Sequence, residues 1–208
     1  MWVIKIGGSL LGSAELPHWL ALIAKYGNGK VIIVPGGGVF ADAVREAQRN
    51  TGISDAAAHQ LAILAMDQFG HLLAAMNLDL VTASSELEIS EYSWQHKGII
   101  WLPSKMALAD TNIPQNWQLT SDSLSAWLAN KLGAEQLILV KSKSLSAFKK
   151  STMVKTLIND ELVDSEFSNF VGKSYASWML NKTDYGVFVG GFHEKKLTKK
   201  ALLIKTLS

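Results

Sequence analysis

Two glycine clusters near the start of the chain have the composition of an anion-binding site. The sequence Gly7-Gly8-Ser9 follows a short apolar run that contains Lys5, and Gly36-Gly37-Gly38 follows a second apolar run that ends at Pro35. Ligands of α/β sheets bind at the carboxyl ends of strands, where glycines let backbone N–H groups approach an anion closely. Two such turns, with a lysine before the first, predict a site for a chain of phosphates. The alternative is that each cluster is only a tight turn between a strand and a helix.

The third group of reactive side chains is Thr120-Ser121-Asp122-Ser123-Leu124-Ser125, a run of hydroxyls around one carboxylate. One interpretation is structural: Thr120 or Ser121 caps a helix, and Asp122 stabilises the first turn through the helix dipole. The other is functional: the carboxylate orients a lysine ammonium beside a phosphoryl group that is being transferred. The residues alone leave both interpretations open.

Several other chemistries are excluded by missing motifs. A P-loop would need a glycine at Phe167, ahead of Gly172-Lys173-Ser174, and neither glycine cluster has the G-x-G-x-x-G spacing of dinucleotide sites. The five histidines show no metal-binding spacing, so no metal ligands are predicted. With no cysteine and no G-x-S-x-G, the chain also lacks disulfides, thiolate nucleophiles, iron–sulfur clusters and a hydrolase nucleophile turn.

Short apolar runs alternate with segments of helical periodicity along the chain. The predicted strands cover residues 2–6, 31–34, 80–81, 99–102, 137–140, 187–189 and 201–204. Between them, Pro17 can open one helix, and Ser54 is a suitable N-cap for a long one. This alternation predicts an α/β fold with a mostly parallel sheet. The polar, lysine-rich stretch 141–155 is predicted to be a loop or hairpin between two lobes.

The overall composition is that of a globular protein of 208 residues with a formal charge of +2. Arg45 and Arg49 are its only arginines, and with so small a net charge the sequence argues against a nucleic-acid partner. No apolar run approaches the roughly 18 residues of a membrane span, and no signal segment precedes the first strand. We therefore expect no membrane association and a soluble protein of the cytoplasm.

The two glycine clusters and the hydroxyl-rich run around Asp122 resemble, in order and spacing, motifs of the amino acid kinase family. This family includes acetylglutamate, aspartate, uridylate and isopentenyl phosphate kinases. The residues that carry the resemblance are Lys5-Ile6-Gly7-Gly8-Ser9-Leu10, Pro35-Gly36-Gly37-Gly38 and Thr120-Ser121-Asp122-Ser123-Leu124. Within the family, the chain is most similar to the subgroup that phosphorylates (aminomethyl)furanylmethyl phosphate in methanofuran biosynthesis. The similarity to that subgroup rests on Ile53-Ser54, His59, Met66-Asp67 and Leu102-Pro103-Ser104-Lys105. The resemblance extends over residues 1 to about 140. Beyond them it is weak and rests mainly on residues 187–191.

The family resemblance implies a three-layer α/β/α sandwich with a mostly parallel central sheet, the carbamate kinase-like fold. It implies a single domain, 1–208, with an acceptor- and phosphate-binding lobe at 1–140 and a reduced nucleotide-binding lobe at 141–208. It also implies a homo-oligomer, a dimer or larger, or a hetero-oligomer with a paralogue.

By the same resemblance, Lys5 and Asp122 are the catalytic residues: the lysine neutralises charge on the transferring phosphoryl group, and the carboxylate holds the lysine. ATP is the implied phosphoryl donor, and Mg²⁺ would bridge its phosphates. The acceptor pocket is implied to include His59, Asp67 and Ser121. The residues implied to bind the phosphates or the nucleotide are Gly7, Gly8, Ser9, Gly36, Gly37, Gly38, Lys141 and Ser142.

The implied activity is transfer of the γ-phosphoryl group of ATP to a small phosphorylated acceptor, with an aminomethylfuran phosphate as the first choice. Two alternatives stay open. Lys141 and Ser142 stand where family members have Thr-Asp, and Leu145 stands where they have glycine, which is what a non-catalytic or regulatory member paired with an active paralogue would show. The acceptor could also be another small phosphate or a carboxylate.

Overall fold

Runs of β-branched and other apolar residues form one central sheet. In the computed structural model, which describes residues 1–206, this sheet has eight strands in the order β3-β4-β2-β1-β5-β7-β8-β6. Strands β1 to β5 and β7 run parallel to one another. β8 pairs antiparallel with β7, and β6 pairs parallel with β8 at the edge of the sheet. The strands are β1 Trp2–Ile6, β2 Val31–Pro35, β3 Leu80–Ala83, β4 Gly98–Trp101, β5 Gln136–Lys141, β6 Ser151–Met153, β7 Ala176–Asn181 and β8 Leu202–Lys205.

Some of the helices begin at a capping side chain. The hydroxyl of Ser54 accepts a hydrogen bond from the backbone N–H of Ala57, and Thr120, not Ser121, caps the helix that carries Asp122. Two short 3-10 segments, Gly8–Leu10 and Lys182–Phe188, follow β1 and β7. The α-helices are α1 Leu16–Tyr26, α2 Gly38–Thr51, α3 Asp55–Met76, α4 Glu86–Trp94, α5 Ser104–Ala107, α6 Ser121–Lys131, α7 Val154–Asn159, α8 Phe167–Phe170 and α9 Glu194–Lys200.

Two apolar clusters lie on opposite faces of the sheet, as the alternation of side chains along a strand requires. Val3 belongs to the cluster that includes the residues of α6, whereas Trp2, Ile4 and Ile6 belong to the cluster that includes α1. Lys5 is therefore directed to the α6 face of the sheet, with Val3. Helices on both faces of a mostly parallel sheet make a three-layer α/β/α sandwich, which confirms the predicted fold class.

Two of the predicted elements beyond residue 140 were wrong. The apolar run 187–189 is not a strand, since it lies at the end of the 3-10 segment Lys182–Phe188, and the strand of this region is β7. Phe188 is fully buried against the rings of Trp2 and Phe192, so the run is apolar because of aromatic packing and not because of sheet pairing. The stretch predicted as a loop or hairpin also contains β6, which pairs with β8.

Within residues 1–206, no helix combines the length and the apolar character that a membrane crossing requires.

The two glycine turns touch each other backbone to backbone. A Cβ atom built on Gly8 would lie 2.1 Å from the Cα of Gly38, and one built on Gly36 would lie 2.5 Å from the backbone N of Gly8. Gly38 also has a φ of +56°, in the left-handed region that favours glycine. The turn after β1 and the start of α2 therefore form one continuous surface of backbone, which only residues without side chains can build.

Replacing Gly8 with alanine should destabilise the fold, because the new methyl group cannot fit against Gly38 without moving one of the two turns. We expect a loss of about 1–3 kcal/mol in the free energy of unfolding, the usual cost of overpacking. Gly186→Ala is the matched control, since a Cβ there meets no atom within 4 Å. Chemical denaturation of the two variants checks this, and equal stability in both would contradict the close contact.

Candidate active site

A buried carboxylate lies between two lysines at the carboxyl edge of the sheet. β1 and β5 are neighbours, with Lys5 opposite Leu139, so Lys141, two residues further on, is directed to the same face as Lys5. The first turn of α6 packs on that face and brings in Asp122. Lys5 Nζ is 2.9 Å from Asp122 Oδ1, and Lys141 Nζ is 2.6 Å from Oδ2. The structure thus brings together both predicted catalytic residues and one residue predicted on the nucleotide side.

The two lysine contacts differ in geometry. Lys141 donates a hydrogen bond to Asp122. Lys5 forms an ion pair with Asp122 Oδ1, an atom for which the described residues provide no hydrogen bond of good geometry. An ammonium group has three N–H donors, so Lys5 keeps donors available for a further acceptor such as a phosphate oxygen.

Burial and charge shift the pKa values of Asp122 and Lys141 strongly. Burial alone would raise the pKa of Asp122, but the charges of Lys141 and Lys5 outweigh it and lower that pKa to about 2. Burial, reinforced by the charge of Lys5, lowers the pKa of Lys141 to about 8 although Asp122 acts in the opposite direction. Lys5 and Lys141 carry one positive charge more than Asp122 alone neutralises, and the negative charge of nearby Asp164 offsets that surplus, so the two lysines and not a net charge make this edge suitable for an anionic ligand.

A cavity of about 590 Å³ opens beside the glycine turns, between α2, α3 and the segment that precedes α6. Gly8, Gly37 and Gly38 contribute to one part of its wall, and Asp42 and Arg45 contribute a charged part. The apolar part of its lining includes Val39, Ala62, Ile63, Met66, Leu119 and Leu124. A cavity of this size fits one small organic molecule.

Two of the three predicted acceptor residues, His59 and Ser121, line this cavity. His59 Nδ1 is 3.3 Å from the carbonyl oxygen of Asn116, so Nδ1 carries the proton in the neutral ring. Burial lowers the pKa of His59, although that hydrogen bond opposes the shift, and the ring is therefore neutral at pH 7. Asp67 lies elsewhere: it is not among the residues described as lining the cavity, and its Oδ1 accepts a hydrogen bond from the backbone N–H of Ser104 at the start of α5.

Ser9, which also lines this cavity, meets Ser142 next to the first glycine turn. The hydroxyl of Ser142 donates to that of Ser9 at 3.1 Å, which joins the turn after β1 to the segment after β5. A second cavity, of about 430 Å³, includes both Asp122 and Lys141 in its wall and shares Trp117 and Thr120 with the first cavity. Two members of the charged cluster thus face the second cavity, next to the first.

A carboxylate that no motif indicated, Asp164, fixes the start of α6. It accepts hydrogen bonds from the backbone N–H and hydroxyl of Thr120, at 3.1 and 2.6 Å, and from the backbone N–H and hydroxyl of Ser123. Burial, and then the negative charge of Asp122, raise the pKa of Asp164, while the bonds from Ser123 and Thr120 act against the shift. The available signal was an acidic residue directly after the apolar pair Leu162-Val163, because a carboxylate in a buried segment needs partners.

Metal binding by protein side chains is not supported for the described part of the chain. Residues 1–206 contain no group of three or more acidic or histidine side chains arranged to hold a metal ion. Mg²⁺ that accompanies a nucleotide does not need such a group, since it keeps several waters and takes one or two carboxylates besides the phosphate oxygens. Lysines and backbone amides are the groups that the site itself offers to phosphates.

The sequence of residues 1–169 matches the model of the amino acid kinase family. A curated relative, the [5-(aminomethyl)furan-3-yl]methyl phosphate kinase of Methanocaldococcus jannaschii, is 35% identical over 140 residues. That alignment covers 67% of this chain and 64% of the relative, so the matched part spans slightly less than two thirds of the relative's length.

Solved structures with the same fold include three kinases that act on uridylate. The uridylate kinase of Archaeoglobus fulgidus superposes with a TM-score of 0.69 at 16% identity and covers 98% of this chain and 99% of its own. The UMP kinase of Bacillus anthracis gives 0.68 at 13% identity, with 100% and 96% covered, and that of Ureaplasma parvum gives 0.66 at 15%, with 99% and 98% covered. At such low identities the likeness concerns the fold alone.

Replacing Asp164 with alanine should destabilise the start of α6, because the backbone N–H groups of Thr120 and Ser123 would lose their acceptor. We expect the free energy of unfolding to fall by about 1–3 kcal/mol, the range for unsatisfied buried donors and lost helix caps. Asp160→Ala is the matched control, since Asp160 is an exposed carboxylate in the same segment. Urea denaturation measures both, and a loss in Asp160→Ala as large as that in Asp164→Ala would contradict the capping role.

Proposed function

The chain belongs to the amino acid kinase family, and from that premise we propose that it transfers the γ-phosphoryl group of ATP to a small phosphorylated acceptor. We further propose that the acceptor is an aminomethylfuran phosphate. The observation that carries the activity is the Lys5–Asp122–Lys141 cluster, buried at the carboxyl edge of the sheet beside two glycine turns. The similarity to the M. jannaschii kinase supports the choice of acceptor.

The proposed reaction is an in-line displacement at the γ-phosphorus of ATP. An oxygen of the acceptor's phosphate forms a new bond to that phosphorus while its bond to the β,γ-bridging oxygen breaks, and ADP leaves with the electron pair. The products are ADP and an acceptor that carries a diphosphate. Such a transfer needs positioning and charge stabilisation more than covalent catalysis.

Lys5 is the residue proposed to stabilise the transferring group. Its ammonium forms an ion pair with Asp122, which leaves N–H groups that can turn towards phosphoryl oxygens. The backbone N–H groups of the two glycine turns, including the N-terminus of α2, would bind the remaining phosphate oxygens. Because the turns touch, the donor and acceptor phosphates would be held at a short, fixed separation, which is the main requirement of an in-line transfer.

The donor side is proposed to lie over the ends of β1 and β5. Lys141 is the last residue of β5, and Ser142, the next residue, is hydrogen-bonded to Ser9. Lys141 thus offers a second positive charge for the phosphates of ATP, at a position where family members have threonine. Lys141 is bound to Asp122 and so belongs to the charged cluster. The lysine that replaces the family's threonine therefore favours an active kinase over a non-catalytic member.

The acceptor side is proposed to be the cavity of about 590 Å³. Its apolar lining suits a small ring, while the glycine turns at one part of its wall suit a phosphate. Neutral His59 can accept a hydrogen bond at Nε2, and the hydroxyl of Ser121 can donate or accept one.

The oligomer implied by the family stays a prediction. The outer side of α3 exposes Leu61, Leu64 and Met76, each between 41% and 44%. An apolar stripe on a helix that carries only two charged residues, Asp55 and Asp67, would let two copies meet without like-charge repulsion. We therefore propose this side of α3 as the contact between copies of the chain.

The first test is turnover with ATP, magnesium and a panel of acceptors: the aminomethylfuran phosphate, UMP, isopentenyl phosphate and N-acetylglutamate. We expect diphosphate formation with the furan, detected by phosphorus NMR, and a loss of at least about 100-fold in kcat for Lys5→Met and Asp122→Asn, as for removal of one transition-state donor. Lys25→Met, an exposed lysine at the end of α1, is the control. Turnover of another acceptor alone would overturn the substrate, and full activity of Lys5→Met would overturn the site.

The rate of the wild-type enzyme should fall as the pH rises through about 8. Lys141 is charged below its pKa of about 8 and neutral above it, so its attraction for phosphates is lost on the alkaline side. Lys141→Arg should remove this alkaline fall, since a guanidinium stays charged throughout the range. Profiles of kcat/KM from pH 6.5 to 9.5 measure the effect, and the same fall in both proteins would show that another group is responsible.

A further inference from the structure

We propose that Asp42 determines acceptor specificity by binding the ammonium group of the acceptor. This inference rests on the proposed function, because it concerns the same cavity and an acceptor that carries both a phosphate and an amine. It adds a residue on α2 that no motif indicated, and it gives the charged part of the cavity wall a role.

The cavity has a charged part that is separate from its phosphate-binding part. Among the described residues that line it, Asp42 is the only carboxylate and Arg45 the only side chain with a permanent positive charge. Both are on α2, whose first residue is Gly38. At 1.5 Å per residue, Asp42 lies roughly 6 Å along the helix from the glycine turn where the phosphate would bind. A molecule whose cationic group lies roughly 6 Å from its phosphate would contact both Asp42 and the glycine turn.

The apolar lining of the cavity makes such a cation need a partner. Much of the wall consists of aliphatic and other apolar side chains, such as Ile63, Met66 and Leu124. An ammonium group that enters beside them loses water and is favourable only if it meets a negative charge. His59, whose burial keeps it neutral, does not supply one. Asp42 is therefore the residue that can compensate an amine in this cavity.

Arg45 is engaged in a way that fixes the carboxylate. Its Nη1 donates to Asp42 Oδ1 at 2.8 Å, and its Cζ lies 4.5 Å from the centroid of the Trp117 ring. Trp117 is held in turn by a hydrogen bond from Nε1 to Gln48 Oε1 at 2.6 Å. Arg45 is thus held between a carboxylate and an indole, while Asp42 keeps a second oxygen with which to accept from a ligand.

The competing explanation is an ordinary surface ion pair between residues three apart on a helix. The Asp42 side chain is 72% exposed, so such a pair would contribute little to stability. The two explanations predict different effects of the acceptor's amine. If Asp42 forms only a surface ion pair, the amine does not change acceptor binding, whereas if Asp42 binds the amine, removing the amine weakens binding. The test therefore varies the amine and the carboxylate together.

The experiment compares two acceptors that differ only in the amine: [5-(aminomethyl)furan-3-yl]methyl phosphate and (5-methylfuran-3-yl)methyl phosphate. We expect the wild type to prefer the amine in KM, and Asp42→Asn to raise the KM of the amine acceptor about fivefold at unchanged kcat, the size of a partly exposed ion pair. The KM of the methyl acceptor should not change. Glu46→Gln, an exposed carboxylate on α2 outside the cavity lining, should change neither.

Two results would overturn the proposal. Equal KM values of the wild type for both acceptors would show that the amine is not recognised, and an equal rise for both acceptors in Asp42→Asn would show a merely structural role. If the proposed function itself is wrong, the result is different, because the wild type would then turn over neither furan. That result would also overturn the role of Asp42.

Discussion

The structure depends on one buried carboxylate that needs two cations. Asp122 is almost removed from water, and a lone carboxylate in that place would be strongly unfavourable or would take up a proton. Lys5 from β1 and Lys141 from β5 make its ionised form stable, and in doing so they tie the start of α6 to the middle of the sheet. The same cluster that fixes this packing places two ammonium groups at the sheet edge. Under the proposed function, folding and anion binding would therefore depend on a single set of interactions.

The start of α6 is held from a second direction by residues late in the chain. Asp164 takes four hydrogen bonds from Thr120 and Ser123, on either side of Asp122. Its negative charge lies near that of Asp122, which is why two carboxylates in one small region have pKa values that move in opposite directions. One is held by cations and the other by neutral donors. The segment after β5 thus sets the position of the charged cluster without itself carrying a phosphate-binding motif.

Much of the fold and part of the site could be predicted because the signals are local. The strands up to β5 are continuous apolar runs between turns, and the glycine clusters with Lys5 and Asp122 lie in short motifs. β7 was not predicted, because its mixed sequence gave no clear run, and the apolar residues near Phe188 gave a misleading one. The contact of Lys141 with Asp122 joins positions 19 residues apart through sheet register, and Asp164 reaches a helix start 44 residues earlier. Such pairings depend on the assembled fold.

The contact between Gly8 and Gly38 has a consequence for how this scaffold can diversify. A Cβ atom at Gly8 would lie 2.1 Å from the Cα of Gly38, so position 8 cannot accept a larger residue, and the φ of +56° at Gly38 disfavours one there. The proposed phosphate end of the cavity is thus fixed in shape by its backbone. A different acceptor would be accommodated more readily around Asp42 and Arg45, whose side chains are exposed. Under the proposed function, one helix would therefore join a phosphate site of fixed shape to a recognition surface that can change, only one to two turns apart.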